Sequence, residues 1–118
     1  MPITENRKYP RIKIFSLISY TCVDNDGEIL GQNYGTALDI SQGGLLLETV
    51  SVVDTEYVLL TIVDLEDKIQ ELKGKVVYCK KIDSGKYKTG ISFLGTKEKN
   101  IQFAAKIVRI YHSQKNKN

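Results

Sequence analysis

Glycine-bearing turns break the first 94 residues into short runs with a two-residue period. Asp24-Asn25-Asp26-Gly27 and Asp83-Ser84-Gly85 are hairpin turn signals, and Gly43-Gly44 sits between the apolar residues Leu38, Ile40 and Leu45-Leu46-Leu47. The spacing predicts six strands, at about 11–23, 29–41, 43–50, 56–64, 68–82 and 86–94, with no helix between them. Such a series has to close on itself or stack, so the fold class is mainly β, an antiparallel barrel or sandwich. In the first run Ile12 and Ile14 alternate with Arg11 and Lys13, and Ile18, Tyr20 and Cys22 with Ser19 and Thr21. The pattern slips at Phe15-Ser16-Leu17, which predicts a bulge or a bend. In the fifth run Leu72, Gly74, Val76 and Tyr78 share one parity. In the sixth, Tyr87, Thr89, Ile91 and Phe93 share a face and Gly90 lies on the other.

After Phe93 the period changes. Thr96 suits an N-cap and Glu98 the positive end of a helix dipole, predicting a helix from Thr96 to about Ser113. Its apolar residues, from Ile101 to Tyr111, cover an arc of roughly 220°, where packing on one sheet needs about 100°. The helix therefore lies in a deep groove, or part of it meets a partner, including a second copy of the chain. Residues 1–10 read as a flexible polar arm between Pro2 and Pro10, residues 11–113 as one domain and residues 114–118 as a frayed tail. The length of 118 residues suits this single domain.

Several classes of function are excluded. A net charge of +3 suits a small anionic ligand and falls short of the basic patch that nucleic acid draws. No apolar run is long enough to span a bilayer, and no signal pattern opens the chain, so a cytoplasmic protein is expected. Cys22, Cys79 and the single histidine, His112, have no zinc spacing, and Asp24, Asp26 and Glu28 lack the remainder of a calcium loop. No metal or cofactor is expected. Ser41 has no credible base and no phosphate-binding loop appears, so an enzyme is not expected.

Two short patterns remain. Arg7 and Arg11 form an Arg-x-x-x-Arg pair on the arm, and Asp39, Ser41 and Gly44 an Asp-x-Ser-x-x-Gly turn at the end of the second strand. Asp39 and Ser41 are two apart and share a face in an extended strand. With six strands and a following helix, the combination resembles the PilZ domain family of cyclic di-GMP receptors over about residues 5–112. Tyr87-Lys88-Thr89-Gly90-Ile91-Ser92-Phe93 is similar to that family's last strand. The resemblance implies a six-stranded antiparallel β-barrel with a C-terminal α-helix.

The resemblance also implies a site. Arg7 and Arg11 would clamp phosphate and guanine edges, because a planar guanidinium bonds either one bidentately and stacks on a base. Asp39 would accept from guanine N1–H and N2–H, Ser41 would donate to an oxygen, and Gly44 would leave room for ligand or arm. Asn6, Lys8, Gly43 and Gly90 are secondary candidates. Asn6 holds the position thought to influence whether one ligand or a stacked pair binds. The implied function is a cyclic di-GMP receptor that changes conformation and signals to a separate, unidentified protein effector in motility or biofilm control. The alternative is an adaptor that acts through its C-terminal helix without nucleotide, with a homodimer through that helix as one form of contact.

Overall fold

A computed structural model describes residues 10–115. The elements are β1 (Ile12–Val23), β2 (Ile29–Ile40), β3 (Gly44–Thr49), β4 (Tyr57–Val63), β5 (Ile69–Lys81), β6 (Tyr87–Phe93) and α1 (Lys97–Lys115). The six strands close into a barrel in the order β1-β2-β3-β6-β5-β4, and every pairing is antiparallel. Alternating residues from all six strands fill it, among them Ile18, Ala37, Leu47, Leu60, Leu72 and Ile91, all buried. Burying these apolar faces is the main force closing the sheet, and closure gives every strand a paired neighbour on each side, although β1 meets β4 only over Ser19–Val23.

The slip in β1 is a register shift between Lys13 and Ser16 against β2. Polarity inverts there: Ser16 faces inward and is buried, while Phe15 and Leu17 face solvent. β5 departs from the parity its sequence predicts. A further shift, between Val76 and Tyr78, inserts Val77, so Tyr78 leaves the parity of Leu72 and Gly74 and turns outward. Cys79 turns inward instead, where its sulfur lies 3.2 Å from Thr89 Oγ1. A bulge re-aims every side chain beyond it.

Positive φ occurs at Gly27, Gly85 and Asp67, one in each of three hairpin turns. Gly43 and Gly44 are not among these residues, so their turn does not use the left-handed freedom of glycine. Asp24 Oδ1 accepts from the backbone N–H groups of Asp26 and Glu28, both at 2.9 Å, which makes it a turn cap. Asp64 caps the β4–β5 turn in the same way, accepting from Glu66 and Lys68 N–H at 2.9 Å and from Gln70 Nε2 at 2.8 Å.

Thr96 Oγ1 accepts from Lys99 N–H at 3.1 Å and caps α1. The helix continues two residues past the expected end at Ser113, so Gln114 and Lys115 are helical. It lies across the barrel end where β1 begins and β2 and β6 finish. Phe103, Ala104 and Ile107 are buried in the core, and the Phe103 ring meets Phe93 edge-on at 5.7 Å. Val108, Ile110 and Tyr111 pack on the same core and are partly buried. The wide apolar arc is thus largely taken up by the barrel, because the helix sits between the turn after β2 and the β4–β5 hairpin.

Lys106 Nζ lies 3.5 Å from Asp64 and ties α1 to that hairpin. The Lys68 N–H, with the Gln70 and Glu66 donors and Lys106, holds the Asp64 carboxyl at about 2 against an ordinary 3.8, although burial works the other way. A depressed carboxyl stabilises the fold above its unfolded pKa and loses that contribution as pH falls through its folded one. Asp64→Asn keeps an acceptor for the turn and removes the charge. In urea unfolding the wild-type advantage over Asp64→Asn should be full above about pH 5 and shrink steadily toward about pH 2. An advantage that stays constant over that range would rule out this role for the charge.

Candidate functional site

β1 and β2 are paired so that Ile12 faces Ile40 and Lys13 faces Asp39. This brings Arg11, just ahead of β1, beside the end of β2. Arg11 Nη1 donates to Asp39 Oδ1 at 2.6 Å, with the Arg11 side chain 43% exposed and that of Asp39 22%. A short, partly exposed pair of this kind adds about 1 kcal/mol or less to stability. It does hold a cation and an anion side by side at the surface.

Ser41 follows at once. Its N–H donates to the Gly44 carbonyl at 2.9 Å, closing the turn, and its Oγ accepts from Gly43 N–H at 3.1 Å. With that oxygen engaged as an acceptor, the hydroxyl proton is available to an anionic ligand. The Gly43 carbonyl in turn accepts from Phe93 N–H at 2.9 Å, which anchors the turn to β6.

Gly44 has a packing reason of its own, alongside the clearance for ligand or arm that the resemblance implies. A β-carbon there would run into the Ile91 carbonyl of β6, so the missing side chain serves strand packing. Gly90 also faces a neighbour: the Tyr78 ring lies over it. Asp39 pairs with Leu46, and Leu46 with Gly90, placing the three in one row across β2, β3 and β6. The structure therefore brings Arg11, Asp39, Ser41, Gly43 and Gly44 together, with Gly90 at the far end of that row. Asn6, Arg7 and Lys8 lie outside the described residues.

The sequence did not point to α1 as a neighbour of this turn. Lys97 and Asn100 join Gln42, Gly43 and Ser92 around a groove of about 340 Å³ beside the turn. Asn100 Oδ1 is buried there without a hydrogen-bond partner among the described residues. Only the docking of the helix places these two side chains, and no local pattern carries that information. On the other side of the turn, Ser41 and Gln42 border a second groove, of about 370 Å³, with Pro10, Ile12 and Val108. Among the described residues no cluster of His, Cys, Asp and Glu is placed to hold a metal, and no helix is long and apolar enough to cross a membrane.

A family model described as PilZ domain matches residues 5–110. No curated protein sequence matches the chain significantly. Among solved structures, the Bacillus subtilis inhibitor of motility MotI/DgrA superposes with a TM-score of 0.58 at 17% identity, covering 100% of this chain and 58% of that one. The Klebsiella pneumoniae MrkH–c-di-GMP complex gives 0.61 at 16%, covering 95% and 54%. The PilZ domain of Escherichia coli YcgR with c-di-GMP gives 0.56 at 10%, covering 95% and 98%. The chain thus spans a little over half the length of the first two proteins and nearly all of the third. At these identities the likeness is one of fold.

Proposed function

The chain belongs to the PilZ domain family, and on that premise we propose that it is a cytoplasmic receptor for cyclic di-GMP that signals to a separate protein. The observation that carries this reading is the 2.6 Å Arg11–Asp39 pair at the surface next to the Ser41 turn. A dianionic guanine dinucleotide needs a cationic fork for phosphate or O6/N7, and a carboxylate for N1–H and N2–H. The pair presents both, with the Ser41 hydroxyl beside them. Two solved relatives, MrkH and the YcgR domain, were determined with c-di-GMP bound, which supports the ligand class.

Arg7 lies one Arg-x-x-x-Arg spacing ahead of Arg11 and supplies the second guanidinium. In this mechanism the segment before Pro10 closes over the nucleotide, and the surface so formed is what an effector reads. MotI/DgrA is described as an inhibitor of motility, so motility control is one output of this kind. The test is titration calorimetry with cyclic di-GMP and, as a control, cyclic di-AMP. Affinity for cyclic di-GMP should be micromolar or better, about 8 kcal/mol, and cyclic di-AMP should bind at least about a hundredfold more weakly, since adenine lacks the donors Asp39 reads. Arg7→Ala should weaken cyclic di-GMP by at least about tenfold. Equal affinities for the two dinucleotides would refute guanine reading, and no heat with either would refute the receptor.

A further inference from the structure

The outer face of the barrel across β2, β1, β4 and β5 is apolar where a solvated face should be polar. Phe15 is 68% exposed, Leu17 69%, Tyr34 66%, Val63 56% and Ile69 72%. They are neighbours. Val63 and Ile69 are cross-strand partners, and Leu17, Tyr34, Val63 and Ile69 border one groove of about 380 Å³, floored by Ile107 and Ile110 of α1. Phe15 stands beside it on the β1 bulge. That bulge is where polarity inverts, with Ser16 inside and two large apolar residues outside. The inversion is unfavourable for a face meant to stay in water.

We propose that this face is the interface of a symmetric homodimer, with Phe15 of each copy seated in the groove of the other. Two observations select a second copy as the occupant. The groove lining carries no charged side chain, in a chain where 26% of residues are charged. Two such grooves meet without like-charge repulsion between their linings, while an acidic or basic partner would find no counter-charge in the groove. The area is also sufficient. Five large side chains at these exposures present about 600 Å² per copy, so a twofold pair buries about 1,200 Å², the lower bound of specific interfaces. A protruding ring beside a concave patch on the same surface has the self-complementarity a twofold contact requires. The interface is separate from the Arg11–Asp39 site and does not depend on nucleotide.

Sedimentation velocity over a concentration series tests this. The wild type should dimerise with a dissociation constant on the order of ten micromolar. Leu17→Lys and Ile69→Lys, both at outward positions, should each be monomeric at about 200 µM with thermal midpoints close to the wild type. Ala105→Lys, at an exposed position on α1, should leave the dimer intact. A wild type monomeric at that concentration overturns the proposal. So does a dimer that survives both lysines, or one that Ala105→Lys alone disrupts.

Discussion

Replacing Arg11 with alanine should weaken cyclic di-GMP binding by about two orders of magnitude or more and leave the fold intact. Two losses combine. The first is the charge-assisted hydrogen bonding of the guanidinium to phosphate or guanine, about 1.5–3 kcal/mol. The second comes from Asp39. Its carboxylate lies 2.6 Å from Arg11 and, once alone, faces a dianionic ligand without a neutralising neighbour. Repulsion then replaces attraction at the same spot. Stability should barely change, because a pair with 43% and 22% of its side chains exposed contributes about 1 kcal/mol at most. Arg11→Lys should fail to rescue, since an ammonium keeps the charge and loses the fork. Calorimetry beside thermal unfolding separates the outcomes. Unchanged affinity in a folded Arg11→Ala protein would remove this arginine from the site.

Most of the barrel is legible in the chain because its signals are local. Asp-Asn-Asp-Gly and Asp-Ser-Gly can hardly be anything other than turns, and Thr96 caps the helix as its position predicts. The bulge in β1 is legible too, since Phe15-Ser16-Leu17 inverts the polarity on either side of it. The bulge in β5 is not, because Val76-Val77-Tyr78 is uniformly strand-like and nothing marks where one residue is skipped. Nor is the pairing of β3 with β6, a contact across some 40 residues of chain.

The same division runs through the candidate site. Asp39 and Ser41 are recognisable from spacing, and Arg11 from its place ahead of β1. That Arg11 bonds Asp39 depends on the β1–β2 register, and that Lys97 and Asn100 flank the turn depends on where α1 docks. Both are tertiary facts. Gly44 carries a constraint of both kinds: the turn pattern marks it locally, while the backbone that a side chain would meet belongs to Ile91, 47 residues away.

That neighbour sets the second large effect. Gly44→Ala should lower stability by about 3 kcal/mol, or about 10 °C in the thermal midpoint. A new β-carbon would collide with the Ile91 carbonyl, and that carbonyl has little room to retreat. Gly44 and Ser92, then Leu45 and Ile91, are adjacent pairs in the β3–β6 ladder, and Gly43 bonds Phe93 N–H at 2.9 Å just before them. Moving either strand would disturb Leu45, Leu47, Ile91 and Phe93, all in the core. Gly90→Ala provides the contrast. There the added carbon meets the Tyr78 ring, which is half exposed and can swing aside, so the cost should stay within about 1 kcal/mol. If backbone crowding governs Gly44, its alanine variant loses nucleotide affinity only as far as it unfolds. A Gly44→Ala protein with a wild-type midpoint and no affinity for cyclic di-GMP would instead make Gly44 a ligand contact, with β6 merely passing by.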